Sequence, residues 1–216
     1  MSPVLSNIYL HYVLDLWFDK VVRPHCRGEA LIMRFADDFV CAFQYREDAE
    51  RFYETLPKRL GKFGLEIATE KTRILKFSRH SLKANGAFGF LGFEFRWVTR
   101  RTGKRGVMRR TSPKKLRGFV SAFKEWVIKN RHKRISILMA ELRHKLRGYY
   151  NYYGVRGNSE SLGKFADQIR RLLFKWLNRR SDRYSYTWEG FSEMLKQFKI
   201  PTPRIVEGRQ MQLRFS

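Results

Sequence analysis

The apolar residues of this chain keep two rhythms, and the change between them near residue 112 constrains the fold more than any other feature. Before it, helical three- and four-residue spacings alternate with short β-rich runs. Beyond it, the apolar residues fall on helical spacings alone. The pattern predicts an α+β fold: a helix, a β-hairpin, a second helix and strands, followed by a small all-α domain.

In the first part, Leu5, Ile8, Tyr9, Tyr12 and Leu16 recur at helical steps and predict one buried face, with Pro3 tolerated in the first turn. This opening is apolar but has no basic leader, and Asn7, His11, Asp15 and Asp19 interrupt it, so it reads as a soluble helix rather than a signal or membrane segment. ALIMRFADDFVCAF follows, two short apolar runs either side of Asp37-Asp38, with the length of a tight hairpin and the acidic pair at its turn. Ala49, Phe52, Leu56, Leu60 and Phe63 predict a second amphipathic helix, which Pro57 is expected to kink or end early. LEIATEKTRILKF predicts extended chain, and GAFGFLGFEFRWV alternates aromatics as a strand does, with Gly86, Gly89 and Gly92 suited to bends or close backbone approach.

The later helices are punctuated more clearly. Ser112 is placed as an N-cap and Pro113 at the first helical position, with Leu116, Phe119, Val120, Phe123 and Val127 as the buried stripe. A second helix carries Leu138, Leu142, Leu146 and Tyr149; a third carries Leu162, Phe165, Ile169, Leu172, Trp176 and Leu177; a fourth starts near Thr187 and uses Trp188, Phe191, Leu195 and Phe198. The predicted divisions are a mixed domain over 1–98, a basic linker over 99–112, a helical domain over 113–199 and a loosely ordered tail over 200–216.

Charge identifies the class of partner. The chain carries 45 Lys and Arg against 20 Asp and Glu, a formal net charge of +25. Through Phe95 there are 14 basic and 12 acidic residues; from Arg96 onward there are 31 and 8. With 43% hydrophobic residues the chain has material for a core, which excludes a disordered basic tail and leaves a folded protein with a polyanionic partner. Two cysteines, one of them in the apolar run at Cys41, exclude a disulfide framework or a Cys-rich zinc site and fit a reducing cytoplasm.

Adjacent carboxylates at a hairpin turn repel one another, and a bound cation removes that cost. Hard oxygen ligands select magnesium, which takes one or two protein carboxylates and completes its shell with water and phosphate. Two such ions about 3.5–4 Å apart activate a 3′ hydroxyl and stabilise leaving pyrophosphate. An isolated Asp-Asp is more often a solvated turn. The surrounding order of segments favours the metal.

SPVLSNIYLH, RFADDFV, GLEIATEKTRIL, GAFGFLGFEFR and LRGYYNYYG occur in that order. Together they resemble the reverse transcriptases encoded by group II introns, the intron maturases, over nearly the whole chain. SPVLSNIYLH resembles the helix after the template-binding glycine turn, and RFADDFV the palm motif that usually reads YADD, with Phe35 in place of the tyrosine. The next two blocks are similar to the following family block and the primer grip, and LRGYYNYYG to the core of the maturase domain that serves as thumb. The resemblance implies Asp37 and Asp38 as catalytic magnesium ligands and Lys71 as a group that orients or protonates pyrophosphate. It also implies a further palm aspartate on a strand upstream of this sequence, with fingers segments beside it. The implied partners are intron RNA, an RNA/DNA hybrid and dNTPs, with no membrane, in a bacterial-type cytoplasm. On this reading the chain is the later part of an RNA-directed DNA polymerase and splicing maturase, and lacks polymerase activity by itself; a catalytically incomplete RNA-binding splicing cofactor or a non-functional relic is the alternative.

For nucleic-acid binding, Arg131, His132, Lys133, Arg134, Arg143, Lys145 and Arg147 supply a basic face that releases counterions on binding phosphates. Tyr152 and Tyr153, with Tyr149 and Tyr150, are candidates to stack on unpaired bases, although Tyr149 continues a buried stripe and at least two of the four are expected in a core. No CxxC pairs follow, so no zinc-supported endonuclease module is visible.

Overall fold

The computed structural model describes residues 2–80, 86–100, 102–180 and 186–207. The chain divides into two compact units, Met1–Gly86 and Ala87–Ser216. Both helix and sheet are present, as an α+β pattern requires. Among the described residues no helix is long and apolar enough to cross a membrane.

In the first unit, helix α1 (Pro3–Leu10) continues into two five-residue π-helical turns, His11–Asp15 and Phe18–Val22, and a 3₁₀ turn, Arg23–His25. The backbone N–H groups of Leu16 and Arg23 donate five residues back, to His11 and Phe18. Each π turn accommodates one more residue than an α turn and so rotates the buried face. The expected stripe is corrected accordingly. Leu5, Ile8, Tyr9 and Tyr12 are exposed, Leu16 is half-buried, and the residues that enter the core are Val13, Leu14 and Phe18.

Strands β1 (Ala30–Phe35) and β2 (Asp38–Phe43) form the expected antiparallel hairpin, with Phe35 opposite Asp38 and Ala30 opposite Phe43. Ala30, Ile32, Phe39, Cys41 and Phe43 face helix α2 (Arg46–Gly61) and the π segment. Phe52 centres this core, with ring centroids 5.8 Å from Trp17, 5.6 Å from Phe18 and 5.3 Å from Phe43. Burying each such ring stabilises by roughly 1.5–3 kcal/mol. Helix α2 runs on through Pro57 to Gly61 instead of ending early, because Phe52, Leu56 and Leu60 bury one continuous stripe across that position. Asp48 in its first turn is buried and accepts from the Arg27 backbone N–H and the Arg51 guanidinium, both at 2.9 Å. The stretch 65–77, expected as extended chain, forms no β-ladder among the described residues and contains a turn at 68–72.

In the second unit, β3 (Phe88–Phe90), β4 (Phe93–Thr99) and β5 (Arg105–Thr111) make a three-stranded antiparallel sheet in that order. The basic stretch over 99–112, read from sequence as a loop or ribbon between domains, contributes to this sheet. Most of it is a strand, held to β4 by a seven-pair register from Phe93–Thr111 to Thr99–Arg105, and the division of the chain falls at Gly86 rather than at residue 98. The absence of an apolar alternation in β5 hid it, since backbone pairing and the Glu94–Arg110 ion pair hold it instead.

Helices α3 (Pro113–Asn130), α4 (Ile135–Tyr153), α5 (Ser159–Leu177) and α6 (Trp188–Gln197) follow. The caps are as expected: Ser112 accepts from the Lys115 N–H and Thr187 from the Gly190 N–H. The core holds Phe123, Val127, Leu138, Met139, Leu142, Leu146, Phe165, Ile169 and Phe191, with Leu173 and Leu177 in the deep positions of α5 and Leu172 and Trp176 at its margin. Residues 200–207 of the expected loose tail are tied down: Val206 and Glu207 donate backbone N–H groups to the Gly154 carbonyl, and Glu207 pairs with Arg109 and accepts from the Arg156 N–H. Residues 208–216 lie outside the described residues.

Candidate functional site

The hairpin turn presents the acidic pair because its two central residues leave no alternative. Ala36 takes a positive φ of 54°, which lets a two-residue loop match the twist of the strands, so Asp37 completes the turn and Asp38 opens β2. Both aspartates are exposed. Neither forms an ion pair among the described residues, so two adjacent oxygen donors stand without a cation of their own. That donor set fits magnesium, which accepts one or two carboxylates. Among the described residues no three His, Cys, Asp or Glu gather to hold a metal.

The turn is fixed from one side by Arg34. Its guanidinium donates to both carboxylate oxygens of Asp15, at 2.7 and 2.6 Å, to the Asn7 side-chain oxygen at 3.0 Å, and to the Ala36 carbonyl at 2.9 Å. The hydrogen bonds from Arg34 hold the Asp15 carboxyl below the usual carboxylate range, against the opposing effect of partial burial. Sequence reasoning counted Asp15 only as a polar interruption of an apolar helix. The missed signal was an ionisable residue between Leu14 and Leu16, where only a paired charge is tolerated.

Phe35, opposite Asp38 in the register, lies 66% exposed on the outer face of the hairpin with Leu31 and Met33. Lys71 is exposed at the turn 68–72, its N–H donating to Ala68, and no hydrogen bond or ion pair joins it to Asp37 or Asp38.

In the second unit the predicted binding residues separate into three groups. Lys133, Arg134, Lys145 and Arg147 are exposed. Lys133 pairs with Glu141 at 2.6 Å and Lys145 lies 5.2 Å from the Trp126 ring centre. Arg143 is half-buried, its guanidinium donating to the Phe198 carbonyl, so it ties α4 to the end of α6. Arg131 sits half-buried over Trp176.

The tyrosines divide just as sharply. Tyr149, Tyr150 and Tyr153 are buried, and desolvation pushes the Tyr150 and Tyr153 hydroxyls up to about 12. Tyr153 is 4% exposed, which corrects its assignment as a base-stacking platform. Tyr152 is 52% exposed, yet one face stacks on Phe93 with centroids 5.7 Å apart, and its hydroxyl donates to the Leu91 carbonyl at 2.9 Å.

Two families match in sequence. Residues 1–95 match the family described as reverse transcriptase (RNA-dependent DNA polymerase), and residues 116–192 match the group II intron, maturase-specific domain. The Asp37-Asp38 turn lies inside the first match and the helices α4 and α5 inside the second. No curated protein matches the chain.

Proposed function

From the premise that the chain belongs to the group II intron reverse transcriptase/maturase family, we propose that its first unit is part of a polymerase palm and its second a thumb and maturase domain. The palm hairpin holds magnesium through Asp37 and Asp38, and the basic helical domain binds intron RNA and an RNA/DNA hybrid. The observation that carries this reading is the turn itself: two adjacent exposed carboxylates, without a cationic partner among the described residues, inside the reverse transcriptase match.

Magnesium bound there supplies positive charge at the attacking hydroxyl and the leaving pyrophosphate. The chain's own contribution is geometric. The register of β1 and β2 places Asp37 in the turn and Asp38 at the start of β2, and Arg34 anchors the turn from the Ala36 carbonyl. Asp37 is the leading ligand and Asp38 the second; Lys71 is assigned to the pyrophosphate by family resemblance only.

On this reading the isolated chain is catalytically incomplete, because the family's two-ion site uses a further palm aspartate and the pair has no third carboxylate beside it among the described residues. It then acts as an RNA-binding splicing cofactor. The test pairs primer extension on an RNA template, with magnesium and dNTPs, against gel-shift titration of the same chain with structured RNA. RNA affinity should fall steeply as salt rises and survive Asp37→Ala combined with Asp38→Ala, with no extension product. Magnesium-dependent extension contradicts the incomplete site; failure to bind RNA contradicts the maturase assignment.

A further inference from the structure

Trp176 stands near the end of α5, and three cations from two separate elements converge on its ring. The Arg179 guanidinium carbon lies 5.2 Å from the ring centre, that of Arg131 5.3 Å and the Lys175 ammonium 6.0 Å. Arg131 belongs to the α3–α4 loop, whereas Lys175 and Arg179 belong to the end of α5 and the turn after it. The neighbouring Arg180 joins the two elements by donating to the Lys133 carbonyl at 2.9 Å. The loop adds His132, Lys133 and Arg134, all exposed.

None of Arg131, Lys175 and Arg179 has a carboxylate within ion-pairing distance among the described residues. Elsewhere in the same unit a few cations are ion-paired, Arg109 with Glu207, Arg110 with Glu94, Lys133 with Glu141 and Lys164 with Glu160. Here three like charges are gathered on one aromatic ring, within cation–π reach and without a carboxylate partner of their own among the described residues. Such a cluster raises the local positive potential and favours whatever anion replaces the small counterions. Planar guanidinium forks on a fixed support suit phosphodiester oxygens, which they bind bidentately.

We infer that the surface around Trp176, built by Arg131, Lys175 and Arg179 with Arg134 beside them, is the principal phosphate-backbone contact of this chain for structured RNA. The inference rests on the RNA-binding reading above and relocates its centre. Of the α4 residues expected from sequence, Arg143 donates to Phe198 and Tyr153 lies in the core, while Lys145 and Arg147 stay exposed. The α5 cations were outside that expectation because they lie more than forty positions along the chain from Arg131. Only the packing of α5 against the loop brings them together.

The experiment uses the full chain and a labelled stem-loop RNA, with affinity read by fluorescence anisotropy across a salt series. The triple variant Arg131→Gln, Lys175→Gln, Arg179→Gln should reduce the slope of log affinity against log salt by about 2 to 3 and weaken binding ~10- to 100-fold at low salt. A control triple with the same loss of charge, Lys114→Gln, Lys115→Gln, Lys124→Gln on exposed positions of α3, should change the slope by less than about 1. Because neutralising Arg131 can disturb the loop, a charge-preserving pair, Arg131→Lys with Arg179→Lys, is measured beside it and should keep the slope. If both triples weaken binding equally, or the Trp176 triple leaves the slope unchanged, the inference is overturned while the RNA-binding reading stands. If the unaltered chain fails to bind the stem-loop, both fall. If polyglutamate displaces the RNA as effectively, charge for charge, as unlabelled stem-loop does, the surface serves acidic proteins instead and the inference is overturned.

Discussion

Arg34 holds Asp15 through a two-point hydrogen bond across nineteen residues of sequence, and the same guanidinium holds the carbonyl of Ala36 in the turn that carries Asp37. One side chain therefore links the π-helical segment to the acidic turn. The arginine side chain is 12% exposed and the aspartate 26%, so the pair is shielded enough to matter energetically.

Replacing Arg34 with lysine should expose that dependence. A lysine keeps the charge but reaches one acceptor at a time, leaving part of the set formed by Asp15, Asn7 and Ala36 without a donor. Arg34→Lys is expected to lower stability by about 1–2 kcal/mol, measured by urea unfolding at neutral pH. A loss within error would mean that the carboxylate is satisfied by water.

The same pair predicts a pH dependence. The Asp15 carboxyl titrates below its unfolded value of 3.8, chiefly through the Arg34 hydrogen bonds. A depressed folded value means that the stabilisation is complete above the unfolded value and is lost as pH falls through the folded one. The stability gap between the unaltered chain and Asp15→Asn should therefore be complete at about pH 5 and shrink towards about pH 2. A gap that widens as pH falls from about 5 would reverse the sign and remove Arg34 as its cause.

Gly92 satisfies two demands at once. It follows Leu91 in a two-residue turn in which both residues have positive φ, 51° and 79°, and a Cβ added to it would lie 2.6 Å from the Tyr153 hydroxyl. Gly92→Ala should cost about 2–3 kcal/mol, part backbone strain and part clash. Adding Tyr153→Phe removes the clashing oxygen and leaves the strain, so the double variant should recover about 1 kcal/mol relative to the sum of the singles. Thermal unfolding of the four proteins closes the cycle, and strict additivity would exclude the contact.

Asn158 is wholly buried and joins three parts of the second unit. Its side chain accepts from the Thr111 N–H at 2.8 Å and donates to the Thr111 hydroxyl and the Tyr153 carbonyl at 2.9 and 2.8 Å. Asn158→Ala removes the side-chain acceptor of the Thr111 N–H and one of two donors to the Tyr153 carbonyl, which Val155 N–H still reaches, for a loss of about 1–3 kcal/mol in the unfolding free energy. Asn158→Asp should be no better, since a carboxylate cannot donate to Tyr153. A variant that unfolds at the same denaturant concentration as the parent would show that water replaces the amide.

Local rules carried much of this fold in the sequence, and long-range pairing carried what was missed. Ser112, Pro113 and Thr187 announced helix starts because capping is a property of three or four successive residues. The Asp37-Asp38 turn was legible because apolar runs flanked it. Strand β5 was not, because Arg105–Thr111 is held by pairing with β4 rather than by an apolar face of its own. The buried face of the first helix was misplaced because π turns change the period that the reading assumes. Arg143 read as a surface cation for the same reason that Lys175 and Arg179 went unnoticed: neighbours distant in sequence decide what a charged side chain meets.

The acidic pair itself yields the most direct test of the metal. Asp37 and Asp38 are exposed, so Asp37→Asn with Asp38→Asn should leave stability without magnesium unchanged or raised by no more than about 0.5 kcal/mol. With magnesium at roughly ten times its dissociation constant, binding to the folded turn stabilises by about 1.4 kcal/mol, and the double variant should lose that increment. Calcium and matched sodium chloride provide the controls, because a general salt effect raises both proteins alike. Equal magnesium shifts in the two proteins would remove the turn as a cation site and leave the RNA-binding unit as the chain's functional part. A shift confined to the unaltered chain would assign the metal to these two carboxylates even where no primer is extended.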